Sequence, residues 1–351
     1  MNTKNSTITP FERCPALDGY HCQTNSLAKI FHYNGHPLSE DMLLGLGAGM
    51  GFIYWKMQIG GENAVFIGGR GNNKDFFSDI GRRTGVSITT VSTSSARKAE
   101  KRLLEHLARE EPVMLFGDMG SLPWFEFPVE YHFGGHTFTV CGFDGVNRVL
   151  ASDMEQQTAG LKKGFHYPIS LEHLRVARGA PYKPFPPKNT CLEFDFTQFR
   201  PPRTEDIWSA VAQVAEAQLH PPIKNIGVKG IRLAAKELRK WPALFNDRAL
   251  RMNLFSLYIF IEIGGTGGGC FRYMYARFLE EAAALTGSRE LAELAPLLNE
   301  SGMLFSDVGR PFIDAETMTD VDEKLRSASE KLEVIAGKEL EAFTSLAEIV
   351  P

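Results

Sequence analysis

A change of texture near residue 200 sets what this chain can fold into. Before it, short β-like runs alternate with glycine-rich turns and a few helical stretches, one of them over 96–110 ahead of a strand over 112–116. Two proline clusters follow, Pro181-Tyr182-Lys183-Pro184-Phe185-Pro186-Pro187 and Arg200-Pro201-Pro202, and between them a strand-like run covers 190–194. Beyond them apolar residues recur at helical spacing over 204–219, 230–240, 248–263, 270–285, 290–299 and 319–346, the last in one piece or two. With 351 residues, 43% of them hydrophobic, the chain can fill two ordinary cores. The expectation is an α+β N-terminal domain over 1–199 and a mostly α-helical domain over 200–351.

Chemistry enters at Cys22. The run His21-Cys22-Gln23-Thr24-Asn25-Ser26-Leu27-Ala28-Lys29-Ile30-Phe31-His32-Tyr33 has apolar side chains at Leu27, Ile30, Phe31 and Tyr33 and ends at Asn34-Gly35, as a helix does. Cys22 then stands at the helix start. Unpaired N–H groups and the positive end of the helix dipole favour thiolate there, and the same groups can hold an oxyanion.

The matching half lies downstream. Two β-rich runs flank Asp144-Gly145, a dipeptide suited to a two-residue type I′ hairpin turn. In that register His136 lies directly opposite Asp153, with Cβ atoms roughly 4.5–5.5 Å apart. A longer loop over 144–147 shifts the pairing by two and leaves both side chains on the same face as diagonal neighbours. Either register lets Asp153 orient His136. With Cys22 at the other imidazole nitrogen the set is Cys-His-Asp, which takes an acyl group onto sulfur and passes it on. His21, His32 and His132 are the competing bases and read as structural: His21 projects away from Cys22, His32 is nearly three helical turns along, and His132 sits on the loop before the strand.

Other signals narrow the classes. The five cysteines (Cys14, Cys22, Cys141, Cys191, Cys270) include no Cys-x-x-Cys pair, which argues against a disulfide framework and a zinc site and fits a reducing cytoplasm. The N-terminal stretch from Met1 to Thr7 is polar, without the apolar core of a signal peptide, and no run approaches the roughly 18 apolar residues of a membrane span. A formal charge of −4 gives no general pull toward nucleic acid. Gly45-x-Gly47-x-Gly49-x-Gly51 lacks the spacing of a dinucleotide fingerprint, and Gly264 to Gly269 lacks the Lys-Ser/Thr of a P-loop. The second cluster opens a helix bearing Arg272, so N–H groups such as that of Gly265 are an anion site on one reading and a tight turn between packed helices on the other. Basic clusters at Arg82-Arg83, at Arg97-Lys98 with Lys101-Arg102, and at Lys236 with Arg239-Lys240 suit an acidic carrier protein or plain solvation equally.

The chain resembles the family of butirosin biosynthesis protein H. The resemblance is carried by His21-Cys22-x-Thr24-x-Ser26-Leu27, by Leu38-Ser39-Glu40 with the Gly45-to-Phe52 stretch, by Gly135-His136 … Gly142-Phe143-Asp144 … Asp153, and, in the helical half, by Gly264-Gly265-Thr266-Gly267-Gly268-Gly269-Cys270-Phe271-Arg272-Tyr273. It implies a papain-like N-terminal domain related to the bacteriocin-processing (C39) cysteine peptidases, followed by a helical domain. It also implies an acyltransferase that takes an acyl group from the phosphopantetheine thioester of an acyl carrier protein and delivers it to a small-molecule amine. On this resemblance Cys22, His136 and Asp153 inherit the triad roles. One departure matters: papain-like peptidases place a Gln six residues before the nucleophile to complete the oxyanion hole, and Ala16 stands there. Gln23 or backbone groups then substitute, which counts against the alternative of a peptidase or amidase more than against acyl transfer. Presence of all three triad residues counts against a non-catalytic binding module. Thioester exchange onto cysteine followed by amide formation requires neither ATP nor metal.

Overall fold

The computed structural model describes residues 8–59, 62–127, 131–155 and 159–351. The polar stretch from Met1 to Thr7 lies outside the described residues. In chain order the first elements are α1 (Cys22–Tyr33), α2 (Glu40–Leu46), β1 (Met50–Ile59), β2 (Glu62–Arg70), α3 (Phe76–Thr84), β3 (Ser87–Val91) and α4 (Ala96–Leu107). Next come β4 (Val113–Gly117), β5 (His136–Phe143), β6 (Arg148–Met154), β7 (Gly164–Ser170), α5 (Leu171–Gly179) and β8 (Cys191–Asp195). The helical half holds α6 (Thr204–Leu219), α7 (Gly227–Leu238), α8 (Trp241–Leu244), α9 (Asp247–Tyr258), α10 (Arg272–Thr286), α11 (Arg289–Gly309) and α12 (Val321–Ile349).

The chain forms two compact units, and their boundary is not linear. One unit comprises Met1–Leu43 and Gly85–Arg200; the other comprises Leu44–Thr84 and Pro201–Pro351. A crossing near residue 200 was expected, but two further crossings assign the β1–β2 hairpin and α3 to the helical unit. The reason is non-local pairing: the Tyr54 N–H donates to the Asn225 carbonyl at 2.9 Å, and Val65 N–H donates to the Asn253 side chain at 2.8 Å. Such bonds leave no local sequence signature.

The first unit is mixed α/β. Six strands pair antiparallel in the order β3-β8-β4-β5-β6-β7. Alternation along β5 divides its side chains: Phe138 and Val140 enter a core with Leu103, Leu115, Val149, Ala151 and Leu174, whereas Thr137 and Thr139 meet Ser26 of α1 on the other side. α1 buries Leu27, Ile30 and Phe31, each at most 1% exposed, which contributes roughly 1.5–3 kcal/mol per side chain and fixes the helix against the sheet.

The second unit joins the β1–β2 hairpin, with Trp55 opposite Phe66, to α3 and the helices α6–α12. Three helices depart from the expected bounds. α9 closes at Tyr258 and continues as a π turn over Ile259–Ile263 before the glycine cluster. α11 runs past Pro296 to Gly309, because Leu291, Ala295, Leu298 and Phe305 keep its face buried at the loss of one backbone bond. α12 is a single helix. No helix among the described residues is long and apolar enough to cross a membrane.

Candidate active site

Cys22 is the first residue of α1, after His21 in extended geometry (φ −127°, ψ 128°). The entry to this helix is held by a buried carboxylate. Glu40 accepts the N–H groups of Tyr20 (3.0 Å) and His21 (3.0 Å), the Thr24 hydroxyl (2.6 Å) and the Asn25 amide (3.2 Å). Burial nevertheless pushes the Glu40 carboxyl above its ordinary range, opposed by those four donors. Helical bonding within α1 begins where Asn25 N–H meets the His21 carbonyl, so the N–H groups of Cys22, Gln23 and Thr24 make up its first turn, ahead of that ladder. Gln23 sits there half-buried.

His136 opens β5, and its Nε2 lies 2.7 Å from Asp153 Oδ2 on β6, with both side chains about 2% exposed. The pairing register is the longer-loop alternative. Thr139 faces Ser152 and Val140 faces Ala151, so His136 and Asp153 are diagonal neighbours, with a bulge between Val140 and Phe143. The two-residue turn fails because Asp144 Oδ1 accepts the N–H groups of Val146, Asn147 and Arg148, which closes a four-residue loop around Gly145 at φ +77°.

Asp153 has two further donors. Trp124 Nε1 donates to Oδ2 at 2.9 Å and Met154 N–H to Oδ1 at 2.8 Å. Trp124 stacks on Tyr167 at 4.9 Å, and Phe125 meets the His136 ring edge-on at 5.2 Å. These aromatics wall the His–Asp pair from water, and nothing in the sequence marked Trp124. With Nε2 on Asp153, Nδ1 is left for the thiol, and the His136 ring and Cys22 are hydrogen-bonded.

The electrostatics follow from this packing. Burial opposes the Cys22 thiolate, but the hydrogen bond and charge of His136 and the Thr137 N–H bring the thiol below its ordinary value. Burial likewise opposes the imidazolium, yet the Asp153 charge and hydrogen bond, helped by Cys22, hold His136 up at about 10. Both shifts act in the same sense, toward the thiolate–imidazolium pair.

Of the competing bases, the rings of His32 and His132 are engaged elsewhere. The His21 carbonyl serves α1, His32 Nδ1 contacts the Arg13 carbonyl at 3.2 Å, and His132 Nδ1 lies 2.8 Å from Asp118 while its ring stacks on Tyr182. In the helical unit Arg272 and Gly265 do not form an anion site. Arg272 is fully buried and donates to both oxygens of Glu339 and to the carbonyls of Gly51 and Cys270. Gly265 N–H closes a turn onto Ile263, and the buried Glu262 carboxylate accepts from Gly269 N–H. The cluster is the tight turn, with its anion built in. The basic clusters are largely paired as well: Arg83 is buried on Leu46 O and Gln213, while Arg102 binds Glu193 and Lys240 binds Glu237.

No curated protein matches this chain. Two family models do. Butirosin biosynthesis protein H, N-terminal, matches residues 21–154, a span that begins one residue before Cys22 and ends one after Asp153, and a domain of unknown function (DUF4872) matches residues 172–346. The part of the chain that holds Cys22, His136 and Asp153 is thus similar to the N-terminal domain of the butirosin biosynthesis protein H family.

Proposed function

We propose that this protein is a cysteine-dependent acyltransferase that moves an acyl group from a carrier-protein phosphopantetheine thioester, through acyl-Cys22, to an amine. The observation that carries the reading is the half-buried Cys22 thiol at a helix start, hydrogen-bonded to an imidazole that Asp153 holds at 2.7 Å. A helix start packed against an antiparallel sheet, with the base on the first residue of its central strand, also supports the papain-like assignment.

The Cys22 thiolate attacks the donor thioester carbonyl, and a C–S bond forms as the carbonyl electrons move onto oxygen. First-turn N–H groups of α1 hold that oxyanion. Collapse breaks the bond to pantetheine, whose sulfur leaves with the proton from His136. The amine then attacks acyl-Cys22, His136 takes its proton, and Cys22 leaves as thiolate to restore the ion pair. Phe125 and Trp124 around the His–Asp pair support a site that limits hydrolysis of the intermediate.

The test is intact-protein mass after mixing with a panel of acyl-pantetheine thioesters. An acyl-sized gain that requires Cys22, and disappears on adding an amine as amide forms, is the expected result. Peptide cleavage without any adduct would shift the activity to hydrolysis, and turnover retained in Cys22→Ala would move the chemistry elsewhere.

A further inference from the structure

An aromatic surface starts at the triad and runs outward from it. The sheet face that carries His136 also carries Phe138 of the core, and Trp124 and Phe125 lean on that core from outside. Phe125 meets the His136 ring edge-on at 5.2 Å, Phe127 lies 5.9 Å from Phe125, and Tyr131 lies 4.9 Å from Phe127. Exposure grows along this row: His136 is buried, Phe125 and Phe127 are half-buried, and Tyr131 is 40% exposed. A second row starts at Asp153. Trp124, which donates to that carboxylate, stacks on Tyr167 at 4.9 Å; Phe165 lies 5.9 Å beyond Tyr167, pairs opposite Asp153 and is 44% exposed. Both rows are anchored. Beside Tyr131, His132 Nδ1 lies 2.8 Å from the fully buried Asp118, and a Cβ on Gly120 would stand 1.9 Å from the Tyr131 carbonyl oxygen. Phe165 and Tyr167 belong to β7, which is paired with β6 along its length.

We infer that this aromatic wall receives the acyl group of the donor thioester and that the group is apolar, an alkyl or aryl chain long enough to pass from Cys22 to Phe127 and Tyr131. Single exposed apolar residues need no explanation, but exposed rings continuous with a nucleophile make a binding surface. A group bonded to Cys22 lies beside the His136 ring, to which the thiol is hydrogen-bonded, and Phe125 is the next ring out. The chemistry of the surface selects what lies on it. Trp124 has spent its N–H on Asp153 and phenylalanine has none, so the two tyrosine hydroxyls are the remaining side-chain donors among these rings. The pantetheine arm, with its amides and hydroxyl, would leave polar groups unpaired there, and so would an acyl group ending in a carboxylate. An alkyl chain carries no such penalty. Each methylene laid on the rings leaves water, a gain of up to about fourfold in binding. Because the rings are anchored before the chain arrives, little of that gain is lost to ordering them.

The inference rests on the acyl transfer proposed above, and two series of reagents separate the failure of one from the failure of the other. Acylation of Cys22 is followed by intact mass with acetyl-, pentanoyl- and octanoyl-pantetheine, and with succinyl-pantetheine as the charged counterpart of pentanoyl. Alkylation of Cys22 is followed with iodoacetamide and its N-butyl and N-octyl derivatives, which need no acyl transfer. Both rates should climb with chain length by about twofold to fourfold per methylene until the chain outruns the wall, and succinyl should react at least about tenfold more slowly than pentanoyl. In Phe127→Ala and Tyr131→Ala, each with its fold checked by its thermal transition, the octanoyl-to-acetyl ratio should fall about fivefold, the worth of one to two methylene contacts. A ratio unchanged in both folded variants overturns the inference, as does a thioester series that acylates Cys22 at one rate whatever the chain. Rates that ignore the acyl chain but drop when cysteamine replaces pantetheine would give the wall to the arm and overturn it too. Failure of the acyltransferase reading looks different: no thioester acylates Cys22, while alkylation keeps a chain-length gradient that the variants flatten. Silence from every thioester together with an ungraded alkylation series overturns both.

Discussion

Replacing Asp153 by Asn removes one charge from the site while keeping its shape. In wild type, alkylation rises with pH through the lowered Cys22 pKa, and the imidazolium that supports the thiolate persists to about 10. In the Asp153→Asn variant nothing offsets the burial of the imidazolium, so His136 titrates at or below its ordinary 6.5. The thiolate loses its cation while burial still opposes it, so the thiol titrates at or above the unperturbed value of about 8.5. At pH 6.5 the thiolate fraction is then at most roughly 1%, so alkylation of Cys22 should slow by up to about a hundredfold, the full figure, about 3 kcal/mol, applying to a wild-type thiol ionised throughout. At pH 9.5 the two proteins should nearly converge. The carboxylate also accepts from Trp124 and His136 on Oδ2 and from Met154 on Oδ1, so an Asn amide must turn its NH2 toward a donor on one side. That mismatch costs about 1–3 kcal/mol of stability, read as a lower urea midpoint, and rates are compared well below the transition. A folded Asp153→Asn protein that alkylates at the wild-type rate at pH 6.5 refutes the reasoning.

Glu40→Gln halves the acceptors under the entry to α1 and should lower stability by about 1–3 kcal/mol in urea unfolding, with slower Cys22 alkylation at every pH; an unchanged midpoint would mean that Tyr20 and His21 hold without it. Trp124→Phe keeps the packing on Tyr167 but deletes the donor to Asp153, for a loss of about 1.5–3 kcal/mol in urea while alkylation at pH 6.5 stays within about tenfold of wild type; a hundredfold loss would assign Trp124 the role given to Asp153. Arg272→Met strands Glu339 without its partner and should cost about 3–5 kcal/mol, whereas adding Glu339→Leu should recover much of it; equal unfolding midpoints for the single and double variants would show that the pair is not coupled.

That His136 and Asp153 share a face was legible in the sequence, for a reason that holds in the longer loop as well. Strand side chains alternate with a period of two, so the extra pair of loop residues that Asp144 draws in moved the register by two and left His136 and Asp153 on one face. A shift by one would have separated them. The helix start at Cys22 was equally local, set by apolar spacing and ended by Asn34-Gly35. Groups that act on the triad from a distance were not legible. Glu40 lies 18 residues beyond Cys22, and Trp124 lies 29 before Asp153. The same limit explains residues 44–84: the hairpin reads like its sheet-forming surroundings, but its partners are Asn225 and Asn253.

The buried charges of the first unit form one system. Among them Glu40 and Asp153 are acids and His136 and Lys29 are bases, and these two bases are each 1% exposed. Lys29 lies two turns along α1 from Cys22, where burial opposes its charge and Asp153 and Glu40 support it. An unpaired ion in such a place costs several kcal/mol, so each charge near Cys22 leans on an opposite neighbour, as His136 does on Asp153. Glu40 occupies the N–H groups of Tyr20 and His21, which leaves the first turn of α1 as the donor set beside Cys22. Single substitutions will therefore report the stranded partner as much as the missing group. Double variants such as Asp153→Asn with Lys29→Met should be less damaging than the sum of their parts, and strict additivity in urea unfolding would show that these ions do not share one field.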